Sequence, residues 1–265
     1  MKLLYSIIVF VSLHVCASED PQNIFKYISQ EKYDRVIEMI ESGIDVNIKD
    51  VHFYNDTPLI AISYKYAGGN EKALLTSRML LERKAEPDFR NGFGTDAAAL
   101  AVRFHPDIRM LSLLVESGAE LTGIYYQHGE SMLHINMENN NSGAIDIFNF
   151  LVKKGANINL QNNAGMTPLI KVMKLNYMEH EGCGFRRLQI RALIDAGADM
   201  EVEDKYFGLT ALKHGIMTAG DVFCPGYPDI KYLLEAGAKV DQEAIDMAGN
   251  YELRAILMKY MLCYR

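Results

Sequence analysis

The sequence predicts an all-α solenoid of stacked helix-turn-helix units, with long loops between the helices of a unit. Three observations predict it. A phrase of two or three aliphatic residues, two variable residues, Gly, a small residue, an acidic or amide residue and a branched one recurs along the chain. A second phrase, Thr-Pro-Leu-Ile in its best copies, falls between successive copies of the first. The Gly positions follow one another at steps of 34 to 42 residues, the range in which self-similarity marks stacked supersecondary units. Composition agrees: 265 residues, 49% hydrophobic and 23% charged, exclude a chain disordered throughout. A net charge of −7 lacks the basic excess of a nucleic-acid binder. Four cysteines are too few to build a disulfide scaffold.

The first element stands apart from the repeats. Met1-Lys2 is a short positive start, Leu3 to Cys16 is mostly apolar, and Val15-Cys16-Ala17 offers small or aliphatic residues for cleavage before the polar Ser18-Glu19-Asp20-Pro21. This order is that of a secretory signal peptide over 1–17, which leaves a mature domain of 18–265 in the periplasm or outside the cell. The apolar run falls short of the roughly 20 residues of a membrane helix, and no later run is apolar enough to span a bilayer, so no span is expected after cleavage. An alternative is lipid attachment at Cys16, because Leu13-His14-Val15-Cys16 loosely resembles a lipobox.

The mature chain begins with a polar helix pair, Asn23 to Ser29 and Glu31 to Ile40, suited to a terminal cap. The glycine phrase follows as Met39–Asn47 and returns at Leu113–Leu121, Phe150–Asn159, Leu193–Met200 and Leu233–Val240, with a weaker copy at Leu80–Pro87. The second phrase reads Asn55-Asp56-Thr57-Pro58-Leu59-Ile60-Ala61 and Gly165-Met166-Thr167-Pro168-Leu169-Ile170. It degrades to Gly129-Glu130-Ser131-Met132-Leu133-His134 and Gly208-Leu209-Thr210-Ala211-Leu212-Lys213. Thr57, Ser131, Thr167 and Thr210 carry hydroxyls that suit helix N-caps. Pro58 and Pro168 sit at the first helical position, where a missing N–H is harmless. The recurrent Gly suits a left-handed helix end, and Lys84 occupies that position in the weak copy. A last pair, Gln242–Ala248 and Tyr251–Tyr260, closes the array.

The two linked phrases resemble the ankyrin repeat, marked by T-P-L-H followed by L-L-x-x-G-A-D, over about residues 22 to 260. The resemblance implies a solenoid of about six repeats, counting the caps. It also implies partner binding as a class, through finger tips and the exposed side of the first helices. The steps exceed the family's period of about 33 residues. The surplus lies in turn-rich inserts at 67–70, 138–143, 176–184 and 218–228. These are binding elements or tolerated loop drift.

No catalytic constellation emerges. His180-Glu181 lacks the second His of a zinc protease, Gly92-Phe93-Gly94 reads as a hairpin turn, and no Gly-x-Ser-x-Gly elbow occurs. A non-catalytic protein without cofactor is expected. His134 stands at the T-P-L-H histidine, with a structural role tying hairpin turns. His180, Cys183, His214 and Cys224 lie in neighbouring repeats, but their spacing matches no closed zinc site, and no metal is expected. Cys183 and Cys224 hold nearly equivalent places in adjacent inserts, and an oxidising compartment favours a disulfide between them. Cys263 is left over.

The candidate contact residues are aromatic. Phe53, Tyr54, Phe93, Tyr125, Tyr126, His128, Tyr206 and Phe207 precede the helix starts, at the expected finger tips. Asn162-Asn163 breaks the series. Tyr64, Arg103, Glu138, Lys174 and Met217 extend the surface along the first helices. Such aromatics suit a protein-contact hot spot. They equally suit packing of finger against finger, and one residue can do both. The expectation is a monomer that binds a protein partner, with oligomerisation through the end caps as the alternative.

Overall fold

The computed structural model describes residues 19–66, 69–104, 107–125, 128–139, 141, 143–175, 180–219 and 227–263, with backbone alone at 180–183 and 263. The signal peptide, its cleavage site, Cys16, Tyr126, the Cys183 side chain and Cys224 lie outside these. The described residues form fourteen helices and no named strand. They fall into two units, residues 1–120 and 121–265, each an all-α ankyrin solenoid.

The first unit holds three helix pairs: α1 (Asn23–Ser29) with α2 (Tyr33–Glu41), α3 (Pro58–Lys65) with α4 (Glu71–Glu82), and α5 (Ala97–Phe104) with α6 (Ile108–Glu116). The second holds four: α7 (Met132–Asn136) with α8 (Gly143–Lys153), α9 (Pro168–Lys174) with α10 (His180–Asp195), α11 (Ala211–Thr218) with α12 (Tyr227–Glu235), and α13 (Gln242–Met247) with α14 (Tyr251–Cys263). Within each unit, first helices pack on first helices and second on second, as in α1 on α3 on α5 and α9 on α11 on α13. The count is seven pairs where about six repeats were expected: the six copies of the glycine phrase each end a pair, and the closing pair adds a seventh. Glu31, expected in the second helix, instead turns the chain at φ 56°.

The helix boundaries follow from the phrases. The hydroxyls of Thr57, Thr167 and Thr210 accept the N–H groups of Ile60, Ile170 and Lys213 at 3.4, 3.3 and 3.4 Å. Ser131 forms a reciprocal capping box with His134. The N-cap of α5 shifts by one residue: Asp96 accepts from Ala99 N–H at 2.8 Å. Gly43, Gly118, Gly155, Gly197 and Gly237 all end second helices with φ between 87° and 101°, and Lys84 adopts the same hand at 66°. This lets the N–H three residues past each helix reach back to a carbonyl in the last turn, as Ala85 does to Leu80 at 2.9 Å and Ala198 to Leu193 at 2.9 Å. The insert of 176–184 departs from a pure loop, since α10 already begins at His180.

The apolar faces make the cores: Ile24, Ile28, Val36, Ile40, Leu59, Ile62, Leu80, Leu111 and Leu114 in the first unit, and Leu133, Ile147, Leu151, Leu169, Val172, Leu193, Leu233 and Leu257 in the second. Polar ties run alongside. Asn47 donates to the Lys84 carbonyl at 3.1 Å and accepts from Glu86 N–H at 2.9 Å. Asp88 accepts from Glu120 N–H, Asn159 from Asp199 N–H and Glu201 from Lys239 N–H, at 2.8 to 2.9 Å. Each repeat so anchored presents one side-chain oxygen to the backbone of the next.

Candidate partner-binding surface

Four fingers are each closed by a polar side chain that accepts backbone N–H groups of its own tip. Asp50 accepts from His52 at 2.8 Å, Asn91 from Phe93 and Thr95 at 3.0 and 3.1 Å, Asn162 from Ala164 and Met166 at 3.0 Å, and Asp204 from Tyr206 and Phe207 at 2.8 and 2.7 Å. These are Asx-type turns. Asn162, where the aromatic series breaks, is therefore the turn anchor of its finger. Fingers are then joined through backbone: Gly92 N–H donates to the Tyr54 carbonyl at 2.6 Å, Asn163 to His128 at 2.9 Å, and Lys205 to Ala164 at 2.9 Å. The approach at Gly92 is so close that a Cβ there would lie 3.1 Å from the Tyr54 oxygen. Asn91 also donates to Asp56 at 2.7 Å. Burial pushes the Asp56 carboxyl up despite that bond.

In the first unit these turns bring three of the candidate residues together. Tyr54 and Phe93 stack with centroids 3.8 Å apart, and Phe53 meets Tyr54 edge-on at 5.3 Å. All three remain half exposed, at 50%, 53% and 50%. Packing and accessibility thus coexist in the same side chains. Beside them lies a groove of about 560 Å³ lined by Phe25, Ile28, Ala61 and Tyr64, with Lys26 and Lys65 among its polar residues. Tyr64 contacts Phe104 at 4.9 Å, edge to face, so exposed aromatics also occupy the ends of α3 and α5.

In the second unit Tyr206 and Phe207 are the most exposed tip aromatics among the described residues, at 75% and 69%. Asp204, which holds their N–H groups, also meets buried His214 Nε2 at 2.6 Å. Burial would raise the Asp204 carboxyl, but the Phe207 N–H, His214 and the Tyr206 N–H hold it below its ordinary value. His214 is thereby committed to a carboxylate, and no group of possible metal ligands occurs among the described residues. His128 is exposed and lends its carbonyl to the finger contact.

Tyr125 corrects the expectation for a tip residue. It is buried, and its backbone pairs with Glu130 in both directions at 2.7 and 2.9 Å. Side chains alternate along extended backbone, so Tyr125 points inward and Ile124, 54% exposed, points out. Along the first helices, Met217 and Lys174 are exposed. Glu138 instead joins buried Lys171 at 2.7 Å, and Glu130 completes that cluster. His134 has its structural role: its Nε2 donates to the Met166 carbonyl at 2.8 Å, leaving Nδ1 to accept from Ser131. Burial holds its pKa below the ordinary value.

The ankyrin-repeat family model matches residues 128–163. The chain is 30% identical over 179 residues to ankyrin repeat and SOCS box protein 6 of Pongo abelii, covering 66% of this chain and 39% of that protein. The human counterpart is 29% identical over the same length. The chain thus spans about 39% of the length of these curated relatives. Among solved structures, a chain from the predatory endopeptidase Bd0816 of Bdellovibrio bacteriovorus in complex with immunity protein Bd3460 is 27% identical, with TM-score 0.56, covering 72% of this chain and 89% of that one. The ankyrin repeat domain of Bcl-3 gives TM-score 0.65 at 20% identity, covering 91% and 99%. Human ASB11 gives 0.66 at 17%, covering 89% and 96%. These last two bear on the fold alone. Together the matches support the ankyrin-repeat family and, with it, protein–protein interaction as the general role.

Proposed function

We propose that this chain is an exported, non-catalytic binding module that docks a protein partner through its aromatic finger tips, and that the partner is an exported peptidase. One observation carries the docking reading: Phe53, Tyr54 and Phe93 stand half exposed on two joined, hydrogen-bonded turns beside an apolar groove. Aromatic side chains already fixed by their own turns lose little freedom on binding, which favours them as anchors. The peptidase class is supported by the 27% identity to a chain of an endopeptidase–immunity protein complex. Export is supported by the charged, apolar, small and polar order of residues 1–21. The negative net charge favours a basic partner face.

The test uses three immobilised baits beginning at Ser18: the unchanged sequence, Phe53→Ala/Tyr54→Ala/Phe93→Ala, and Tyr206→Ala/Phe207→Ala. Each meets envelope and secreted fractions of the source cell. Captured proteins are identified by mass spectrometry and assayed for peptide hydrolysis with and without bait. The expected result is a peptidase that is inhibited on binding and lost with the first variant. Equal capture by all three baits refutes docking through the tips. A captured partner without hydrolytic activity refutes the peptidase class. N-terminal sequencing of the protein from its own cell tests export, with Ser18 as the expected first residue.

A further inference from the structure

The last helix carries two apolar faces. Leu253 and Leu257 are buried against the rest of its unit. On the opposite side, Tyr251, Ala255, Met258 and Leu262 are exposed, Tyr251 at 88% and Leu262 at 73%. Scattered exposed apolar residues need no explanation. These four are not scattered: they follow at steps of four, three and four, the spacing of a helical seam that seats knobs into the holes of a second helix. The seam runs the length of α14, about 20 Å for a helix of this size.

We propose that α14 pairs with α14 of a second copy in antiparallel orientation across a two-fold axis. This inference is independent of the finger-tip reading above. The charges flanking the seam select the partner and its direction. With the seam residues at heptad positions d, a, d and a, Glu252 and Lys259 both occupy e, and Arg254 occupies g. Antiparallel helices set e against e. Antiparallel packing places Tyr251 opposite Leu262 of the second copy and Ala255 opposite Met258 of the second copy, a small residue facing a larger one. In that register Glu252 faces Lys259 of the second copy, and the two-fold repeats the pair. Parallel packing would instead set g against e, bringing Arg254 onto Lys259 of the second copy, a like-charge contact. Glu252 and Lys259 are exposed and in no ion pair among the described residues, so both are available. The seam is one helix wide and four residues long, well short of the roughly 1,200 Å² of a stable interface. The pairing is therefore weak and concentration-dependent, and dilution yields the monomer.

Sedimentation equilibrium over a wide concentration range tests it. The full chain and the chain begun at Ser18 are run in parallel, so that association through the apolar leader is told apart. Both are expected to rise towards twice the monomer mass. Met258→Glu/Leu262→Glu should lower the association constant more than tenfold. Glu252→Lys should lower it roughly three- to tenfold, and Glu252→Lys/Lys259→Glu should restore it. The substituted side chains are exposed, and circular dichroism checks that the helix remains. A monomer at every concentration overturns the proposal, as does a dimer indifferent to Met258→Glu/Leu262→Glu. A dimer unaffected by Glu252→Lys and strengthened by Lys259→Glu overturns the antiparallel arrangement.

Discussion

Replacing Lys84 by glycine is expected to stabilise the protein by about 0.5–1 kcal/mol. Lys84 ends α4 in the left-handed region, at a position where five other helices end in glycine. A side chain in that conformation costs roughly 1–2 kcal/mol. Glycine returns part of this, roughly 0.5–1 kcal/mol, because its unfolded chain is freer. Little else opposes the exchange. Lys84 is exposed, and the bonds at this turn use main-chain groups that survive the exchange: Lys84 N–H donates to the Leu81 carbonyl, Ala85 N–H donates to the Leu80 carbonyl, and the Lys84 carbonyl accepts from the Asn47 side chain. In a chain of this size about 1 kcal/mol moves the melting temperature by roughly 2–4 °C. The assay is calorimetry together with urea unfolding, where the midpoint should rise at constant slope. Gly155→Ala is the reverse experiment. A Cβ there meets nothing within 4 Å, so the substitution reads backbone strain alone and should destabilise by about 1 kcal/mol. An unchanged or lower midpoint for Lys84→Gly, or a neutral Gly155→Ala, would show that these helix ends hold no backbone strain.

Three further outcomes are expected. Gly165→Ala adds a Cβ that would lie 2.6 Å from the Lys205 backbone nitrogen, at φ 75°. It should cost about 1–3 kcal/mol and speed exchange of the Lys205 amide, and a neutral melt would show that the finger contact yields freely. His134 is buried and its pKa is depressed chiefly by that burial. The unfolded chain therefore takes up its proton first as pH falls below about 6.5. Stability should decline with acidification from that point until the folded-state pKa is passed, and His134→Gln should flatten this slope in unfolding measured across pH. Lys171→Met leaves Glu130 buried without its cation and should cost about 3 kcal/mol, whereas Lys171→Met/Glu130→Met should recover most of it. Urea midpoints of the three proteins decide the matter.

The sequence made the repeating elements legible because their signals are local. A hydroxyl before Pro58 or Pro168 and a glycine after an aliphatic pair act within one helical turn, so the caps and helix ends lie where the phrases put them. The start of α5 was hidden because Asp96 took the cap in place of the hydroxyl beside it, shifting the phrase by one residue. The site was less legible because exposure depends on contacts between repeats. Tyr54 and Tyr125 look alike in sequence, yet one stacks on Phe93 at the surface and the other is turned inward by its bridge to Glu130. The turn anchors Asp50, Asn91, Asn162 and Asp204 did leave a signal: each is an Asp or Asn five to seven residues before a helix N-cap, Thr57, Asp96, Thr167 and Thr210 in turn. Read as a series, they would have located the tips before the aromatics did.

The polar ties between repeats bear on how such an array changes over time. Asn47, Asp88, Asn159 and Glu201 each read a neighbour's amide hydrogen, and every amino acid but proline offers one. The tie is therefore blind to the identity of the residue it holds. A neighbouring module can drift in sequence, or be exchanged for one from another array, and still be gripped at the same point. Glu86, Glu120, Asp199 and Lys239 occupy the gripped position here with both signs of charge. Faithful copying is demanded only of the residue that reaches across.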